Sequence, residues 1–193
     1  MKVLKYLGIV LLAIIILLLL IALFVPKELV YEKSISINAP IEQVWENVNS
    51  LEDLDTWNPW DEKDPLMVKQ FFGTDGTVGA MQSWESDIKE VGKGSQTITN
   101  IAEPFLFETD LVFYTPYESQ ADAYIKLMAE GDGTKVTWGF QSVMPYPFNV
   151  MTLFMNMEKS MGEDWNKGLN KLKDICETPM ETTVETTDNV TIE

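Results

Sequence analysis

The chain has 193 residues, with 14 lysines, no arginine and 30 acidic residues, and its formal net charge is −16. It contains one cysteine and no histidine. This excludes a Ser-His-Asp triad, a zinc site with imidazole ligands and an internal disulfide bond. The excess of negative charge also argues against nucleic acid as a partner, because that binding depends on neutralising phosphates.

The first segment of the chain is strongly apolar. Residues 7–25 contain only apolar side chains and one glycine, and Pro26 follows them. As a helix, this run is long enough to cross a hydrocarbon core of about 30 Å. A cleaved signal peptide is the alternative, but its apolar stretch is usually shorter and ends at small residues. We therefore predict a single-pass membrane anchor over residues 1–26. The short leader favours a cytoplasmic N-terminus and a domain on the outer, periplasmic or extracellular side.

Residues 27–177 are predicted to form one α+β domain, and residues 178–193, rich in Thr and Glu, a disordered acidic tail. Alternation over residues 29–37 predicts a strand, and Asn38-Ala39-Pro40 then opens a short helix. Further strand-like stretches lie at 67–72, 78–87, 94–101, 105–115, 120–129 and 134–143. Asp-Gly pairs at 75–76 and 132–133 are typical of hairpin turns.

A long helix is predicted to close the domain over residues 149–176. Its apolar stripe consists of Met151, Phe154, Met155, Met161, Trp165, Leu169, Leu172 and Cys176. An antiparallel sheet has one face to bury, and this amphipathic helix is suited to cover it. We therefore predict a helix-grip fold, in which a curved antiparallel sheet wraps around a long C-terminal helix. Ligand cavities commonly form between such layers.

Five groups of residues follow one another in a characteristic order. They are Ser34–Pro40 with Glu42–Trp45, Trp57-Asn58-Pro59-Trp60, Gly79–Gln96, Gly133–Trp138 and Gly162–Lys173. In this order they resemble the START-like, or SRPBCC, superfamily in its polyketide cyclase-like branch. The resemblance covers residues 29–177 and implies the helix-grip fold. The superfamily includes lipid and quinone carriers, cyclases, dehydratases and chaperone-binding modules, so the resemblance alone does not fix the function.

Aromatic and methionine side chains are the candidates for a cavity lining. Two tryptophans lie in the Pro-containing connector and two lie within predicted strands, and each of them could instead be part of a filled core. The ten methionines include a group near the last helix, where flexible thioethers are suited to an adaptable pocket. The predicted ligand-binding residues are Trp57, Trp60, Trp84, Trp138, Phe140, Met151, Phe154 and Met155.

The sequence contains no motif that indicates catalysis or a bound cofactor. The acidic connector at residues 53–64 fails the calcium-loop template, because Trp57 occupies a ligand position and no glycine follows. Glu85 and Glu108 lie within predicted strands, where a solvent-facing position is favoured over an acid–base function. Gly92-Lys93-Gly94 fits a hairpin turn rather than a nucleotide-binding loop. No catalytic residue, metal site or cofactor is therefore predicted.

These observations predict a membrane-anchored START-like domain that binds a small hydrophobic or amphipathic ligand, such as a lipid, a quinone or a polyketide-like molecule. Two alternatives stay open at this point. One is a protein-interaction module at the membrane without a ligand, for an unknown protein partner. The other is an enzyme similar to a polyketide cyclase or dehydratase.

Overall fold

The structure is a computed structural model that describes residues 2–178. The predicted tail at 178–193 lies outside the described residues except for Thr178. Helix α1 spans Lys2–Ala22. Its residues 3–22 have a mean hydropathy of 3.0, and the most apolar part of this segment is not buried against the domain. By length and composition α1 can cross a membrane, a property that it shares with signal sequences.

Seven antiparallel strands form one sheet in the order β1-β7-β6-β5-β4-β3-β2. The strands are β1 (Glu28–Ile37), β2 (Val68–Phe72), β3 (Met81–Glu85), β4 (Lys93–Ala102), β5 (Leu106–Thr115), β6 (Ser119–Glu130) and β7 (Gly133–Val143). Between β1 and β2 lie three short helices, α2 (Ile41–Trp45), α3 (Leu51–Trp57) and α4 (Pro59–Lys63). Helix α5 (Met157–Glu177) closes the domain. The predicted helix-grip fold is confirmed.

Local hydrogen bonds set the bend between α3 and α4. The Ser50 side chain accepts from the backbone N–H of Asp53 at the start of α3, and Asn58 Oδ1 accepts from the N–H of Trp60 at 3.0 Å. Pro59 occupies the first turn of α4, where its missing N–H costs nothing. The two helices therefore meet at a corner that turns Trp57 and Trp60 toward the same side of the sheet.

The closing helix begins later than the sequence pattern predicts. Residues Phe148–Leu153 form a short 3₁₀ helix, and α5 starts at Met157 rather than at residue 149. The Asn156 side chain caps α5 by accepting from the N–H of Lys159 at 3.0 Å. Because of this break, Met151, Phe154 and Met155 do not share a face of α5 with Trp165.

The 3₁₀ helix is joined to the end of α1. Asn149, which is fully buried, donates from Nδ2 to the carbonyl of Ala22 at 2.7 Å and to that of Val25 at 2.8 Å. The last carbonyls of a helix lack partners within the helix, so this side chain satisfies groups that α1 leaves open. The contact fixes the 3₁₀ helix beside the C-terminal end of α1.

Packing differs between the two ends of the sheet. The buried core at the end remote from α1 contains large side chains, including Ile37, Ile98, Phe107, Leu127 and Val136. On the inner face of β6, Ile125 and Leu127 belong to this core, whereas Ala121 and Ala123 precede them along the strand. The change from large to small side chains leaves space at the end of the sheet nearer α1.

Ion pairs hold α5 over this space. Glu62 of α4 accepts from Lys167 at 2.6 Å and from Lys171 at 3.0 Å, and Lys63 contacts Asp164 at 2.6 Å. At the other side, Glu158 in the first turn of α5 accepts from Tyr31 and Lys33 of β1. Exposed pairs of this kind are worth little singly, but together they fix the register of α5 against both edges.

Replacing Gly94 by Ala tests the close packing of the Trp84 ring, which is part of the cavity wall, against β4. A Cβ at this position would lie 2.4 Å from the Trp84 ring and 2.6 Å from the Val112 carbonyl oxygen. We expect Gly94→Ala to lower the free energy of unfolding by about 1–3 kcal/mol through overpacking. Chemical denaturation of the full chain in detergent measures this free energy of unfolding. Thr99→Ala, exposed on the same strand, is the control, and an equally small effect of both changes would contradict this account.

Candidate functional site

A cavity of about 540 Å³ lies between the sheet, the α3–α4 corner and α5. Its size is within the range of pockets that hold small organic ligands. Seven aromatic side chains line it, namely Trp57, Trp60, Trp84, Phe113, Trp138, Phe140 and Trp165. Ala121 and Ala123 form the floor on β6, and Met161 contributes from α5.

Trp138 of β7 is the centre of the aromatic group. Its ring stacks on Trp165 of α5 with the ring centroids 4.2 Å apart and an interplanar angle of 24°. Trp57 and Trp60 each meet Trp138 edge to face, at 4.9 and 5.9 Å. Such geometries are favourable for aromatic pairs beyond the area that they bury. The sheet, the α3–α4 corner and α5 therefore converge on one indole ring.

Gly168 permits the close approach of α5 to this ring. A Cβ at Gly168 would lie 3.0 Å from Trp138 Cζ3 and 3.1 Å from Pro59 Cδ. A larger residue would push α5 away from the α3–α4 corner. The glycine therefore costs helix propensity, about 1 kcal/mol against alanine, and allows the three elements to meet.

Charged side chains form one part of the cavity wall. Lys69 Nζ contacts Asp55 Oδ1 at 2.8 Å and Asp61 Oδ2 at 2.6 Å. Gln82, which is buried, donates from Nε2 to the second oxygen of Asp55. Burial raises the pKa of Asp55, although the hydrogen bond and the positive charge of Lys69 act in the opposite direction. The lysine is thus already neutralised by two carboxylates.

Two polar atoms in the cavity wall are left without a partner. Among residues 2–178, the buried atoms Asp61 Oδ1 and Trp165 Nε1 have no hydrogen-bond partner. Trp165 is only 2% exposed, so bulk water does not satisfy its indole N–H. An unsatisfied buried donor or acceptor costs about 1–3 kcal/mol. Both atoms belong to residues that line the cavity, and neither has surface open to the empty cavity.

The structure brings together five of the eight predicted site residues. Trp57, Trp60, Trp84, Trp138 and Phe140 line the 540 Å³ cavity. Trp57 is at the same time part of the buried core, and its Nε1 donates to the carbonyl of Asn47 at 3.0 Å. The three predicted residues that precede the true start of α5, Met151, Phe154 and Met155, lie outside this cavity.

Sequence reasoning missed several wall residues. Trp165 was placed only on the apolar stripe of the closing helix, and Asp61, Lys69 and Gln82 were not singled out as wall residues. The size pattern Ala121, Ala123, Ile125, Leu127 on one face of β6 is a signal that could have located the cavity, because it changes from small to large along a single strand. No local pattern marks the unpaired Trp165 N–H, which depends on contacts from distant elements.

A second cavity, of about 580 Å³, adjoins the first at the end of the sheet nearer α1. The two share Phe113, Ala121 and Phe140 in their walls. The second cavity is further lined by Leu29 at the start of β1, by Met144 and Pro145, and by the predicted site residue Met155. The shared residues stand between the aromatic cavity and this outer space.

Comparison with solved structures shows that the chain shares its fold with several known proteins. A protein from Nitrosospira multiformis is similar with a TM-score of 0.55 and 18% identity over 78% of this chain and 97% of that one. The Aha1 dimer from Colwellia psychrerythraea has a TM-score of 0.54 and 14% identity, and the match covers 78% of this chain and 97% of that one. Ara h 8.0201 has a TM-score of 0.51 and 14% identity, and the match covers 77% of this chain and 97% of that one. No family model and no curated protein matches the chain.

The pH dependence of stability tests the placement of Asp55. Because its pKa is raised in the folded chain, Asp55 contributes most to stability below its ordinary pKa of 3.8, and that contribution is lost as pH rises through the folded pKa. We therefore expect the stability of Asp55→Asn relative to the unmodified chain to increase between pH 3 and pH 7, as followed by chemical denaturation.

Asp122→Asn is the matched control, since it removes the same charge from an exposed position on β6. A pH-independent difference for Asp55→Asn, or an equal trend in both variants, would contradict a raised pKa of Asp55 in the folded chain.

Proposed function

We propose that this chain is a membrane-anchored START-like domain that holds a small, neutral, amphipathic molecule in the aromatic cavity. The observation that carries the proposal is the cavity itself, whose wall combines seven aromatic rings with Asp61 and Trp165, each of which has a polar atom without a hydrogen-bond partner. A lipid alcohol, a quinol or a polyketide-like phenol has the matching chemistry, an apolar body with a hydroxyl group.

The apolar wall supplies the affinity in this proposal. Burial of apolar ligand surface contributes about 25 cal/mol per Å². Aromatic side chains give this contact at little cost in entropy because Trp138, Trp165 and Trp57 already fix one another. A preformed pocket of this kind favours a rigid or ring-containing ligand over a fully flexible chain.

The polar side chains of the cavity wall favour a ligand whose polar group is neutral. Lys69 forms ion pairs with Asp55 and Asp61, so its positive charge is already compensated and does not favour an anionic ligand. The negative charge of Asp61 repels a carboxylate, whereas its unpaired oxygen, once the side chain turns to the ligand, accepts a hydrogen bond from a hydroxyl group. In this proposal a small rotation of the Trp165 ring brings its indole N–H, which has no partner in the empty cavity, to an oxygen of the ligand. A neutral donor–acceptor group therefore fits this wall better than a charged one.

Anchoring by α1 places the cavity next to a source of such molecules. Hydrophobic and amphipathic molecules concentrate in bilayers, and a domain joined to a spanning helix by a few residues meets them there. We propose an orientation with the N-terminus in the cytoplasm and the domain on the outer side.

The two alternative functions have weaker support. A ligand-free interaction module would be favoured by a filled core and by an exposed aromatic patch around Trp57 and Trp60, but Trp57 is buried and Trp60 lines a cavity. A cyclase or dehydratase needs a group that moves protons. The carboxylates of Asp55 and Asp61 are held by Lys69, which favours a binding function for this wall.

Filling the cavity tests the proposal. Ala123→Phe places a ring in the cavity floor, and Ala129→Phe makes the same change at an exposed position of the same strand. We expect a bromine-terminated long-chain alcohol to quench the tryptophans of the unmodified chain and of Ala129→Phe with saturation. Quenching of Ala123→Phe should be at least about tenfold weaker, since the space is lost.

The titrations use the full chain in detergent, so that partition of the probe is the same for all variants. Circular dichroism establishes that Ala123→Phe is folded, and Ala121→Phe gives an independent filled variant. Equal, non-saturating quenching of all the chains would contradict a ligand cavity.

Replacing Trp165 by Phe separates the polar contact from the apolar one. The variant loses the indole N–H, and since that donor has no partner in the empty cavity, stability should not fall through loss of a hydrogen bond. We expect binding of the brominated alcohol to weaken by about 0.5–1.5 kcal/mol, roughly two- to tenfold.

The bromoalkane of equal length, which lacks the hydroxyl group, is the matched probe. Its affinity should change by the same amount as that of the alcohol if Trp165 acts only through packing. A loss confined to the alcohol supports the hydrogen bond, and an equal loss for both probes contradicts it.

A further inference from the structure

A long stretch near the C-terminal end of the domain carries no charge. From Val136 to Met157 there is no acidic or basic residue, although 23% of the whole chain is charged. Within the part of this stretch that follows β7, the exposed large apolar side chains are Tyr146, Phe148, Met151, Leu153, Phe154 and Met155. Phe154 is 79% exposed. A surface of this composition is costly to leave in water.

The 3₁₀ helix holds this surface against the end of α1. Asn149 donates to the carbonyls of Ala22 and Val25, and it is fully buried between the two segments. Leu23 and Phe24, directly after α1, are also exposed, Phe24 by 87%. The apolar surface of the domain is thus continuous with the apolar surface of the helix.

The strand register places the second cavity at this same end. β1 starts beside α1 at Glu28, which pairs with Val143, and runs to Ile37, which pairs with Thr134 at the remote end. The lining residues Leu29, Met144 and Met155 all belong to the end near α1. The second cavity therefore lies between the aromatic cavity and the apolar surface.

We infer that Tyr146–Met155, together with Leu23 and Phe24, forms a membrane-docking surface that lies in the interfacial layer of the bilayer. The inference rests on the proposed anchoring by α1. It assigns the second cavity as the passage through which a ligand moves between the lipid and the aromatic cavity, past Phe113 and Phe140.

The bilayer fits this surface better than a protein partner does. Aromatic and aliphatic side chains on an interfacial segment bury about 5–10 Å into the boundary of headgroups and acyl chains. The surface starts where α1 ends, so the lipid reaches it without any further contact. Its lack of charge also avoids the cost of bringing the acidic domain face against anionic lipid.

Site-directed fluorescence quenching in nanodiscs tests the docking surface. The only cysteine, Cys176, is buried, and burial raises the pKa of its thiol to about 11, so a thiol label attaches selectively to a new exposed cysteine. The full chain is labelled with a small fluorophore at Phe154→Cys and, independently, at Leu153→Cys. The nanodiscs contain phospholipid with either ordinary or brominated acyl chains.

Phe105→Cys is the matched control. Phe105 is also an exposed phenylalanine, but it lies in the β4–β5 turn, where its carbonyl accepts from Leu127 at the remote end of the sheet. A label at Leu12→Cys reports on α1 itself. We expect brominated lipid to reduce the fluorescence at positions 154, 153 and 12 by at least about twofold and to leave position 105 unchanged.

The outcomes separate the two proposals. Quenching at position 12 without quenching at 153 and 154 would overturn the docking surface and leave the anchor intact. No quenching at position 12 would overturn the anchor and the docking surface together. Labels at 153 and 154 that are shielded from aqueous iodide but not quenched by brominated lipid would identify a protein contact, such as a second copy of the chain, and would also overturn the inference.

Discussion

The stack of Trp138 on Trp165 is the contact on which the other features of this domain depend. It joins the middle of the sheet to α5, and Trp57 and Trp60 meet the same ring from the α3–α4 corner. Gly168 allows the approach, and ion pairs from α4 and β1 hold α5 in register. With the ring fixed from three directions, the space beside it persists as a cavity and does not collapse.

The domain divides its interior by side-chain size. Large residues fill the end of the sheet remote from α1, whereas Ala121 and Ala123 leave the other end open. An aromatic cavity with an unpaired Trp165 N–H and an unpaired Asp61 oxygen is less stable than a filled core would be. Retaining such a wall is typical of a site built for a ligand, which recovers the lost contacts and hydrogen bonds.

The sequence determines the fold more clearly than the site. Alternation places the strands to within a few residues because the pattern of each strand is local. The Asp-Gly pairs locate the connections less exactly, since Asp75-Gly76 lies in an eight-residue loop and the turn before β7 is Gly131-Asp132. The start of α5 is predicted wrongly, since Asn156 caps the helix and Asn149 is drawn to the end of α1, and neither contact shows in the helical periodicity. Trp138 and Phe140 are found by strand parity. Trp165 is missed as a polar residue, because a missing hydrogen-bond partner is a property of the assembled structure.

Native mass spectrometry of the full chain, released from nanodiscs prepared with the membranes in which it was produced, tests the central claim most directly. A cavity that holds a neutral amphipathic molecule predicts a fraction of the protein with the added mass of one small molecule, which is released on denaturation and identified as an alcohol, quinol or phenol. A chain that carries only its own mass, and that retains no such molecule when a mixture of neutral lipids is added, would contradict the account.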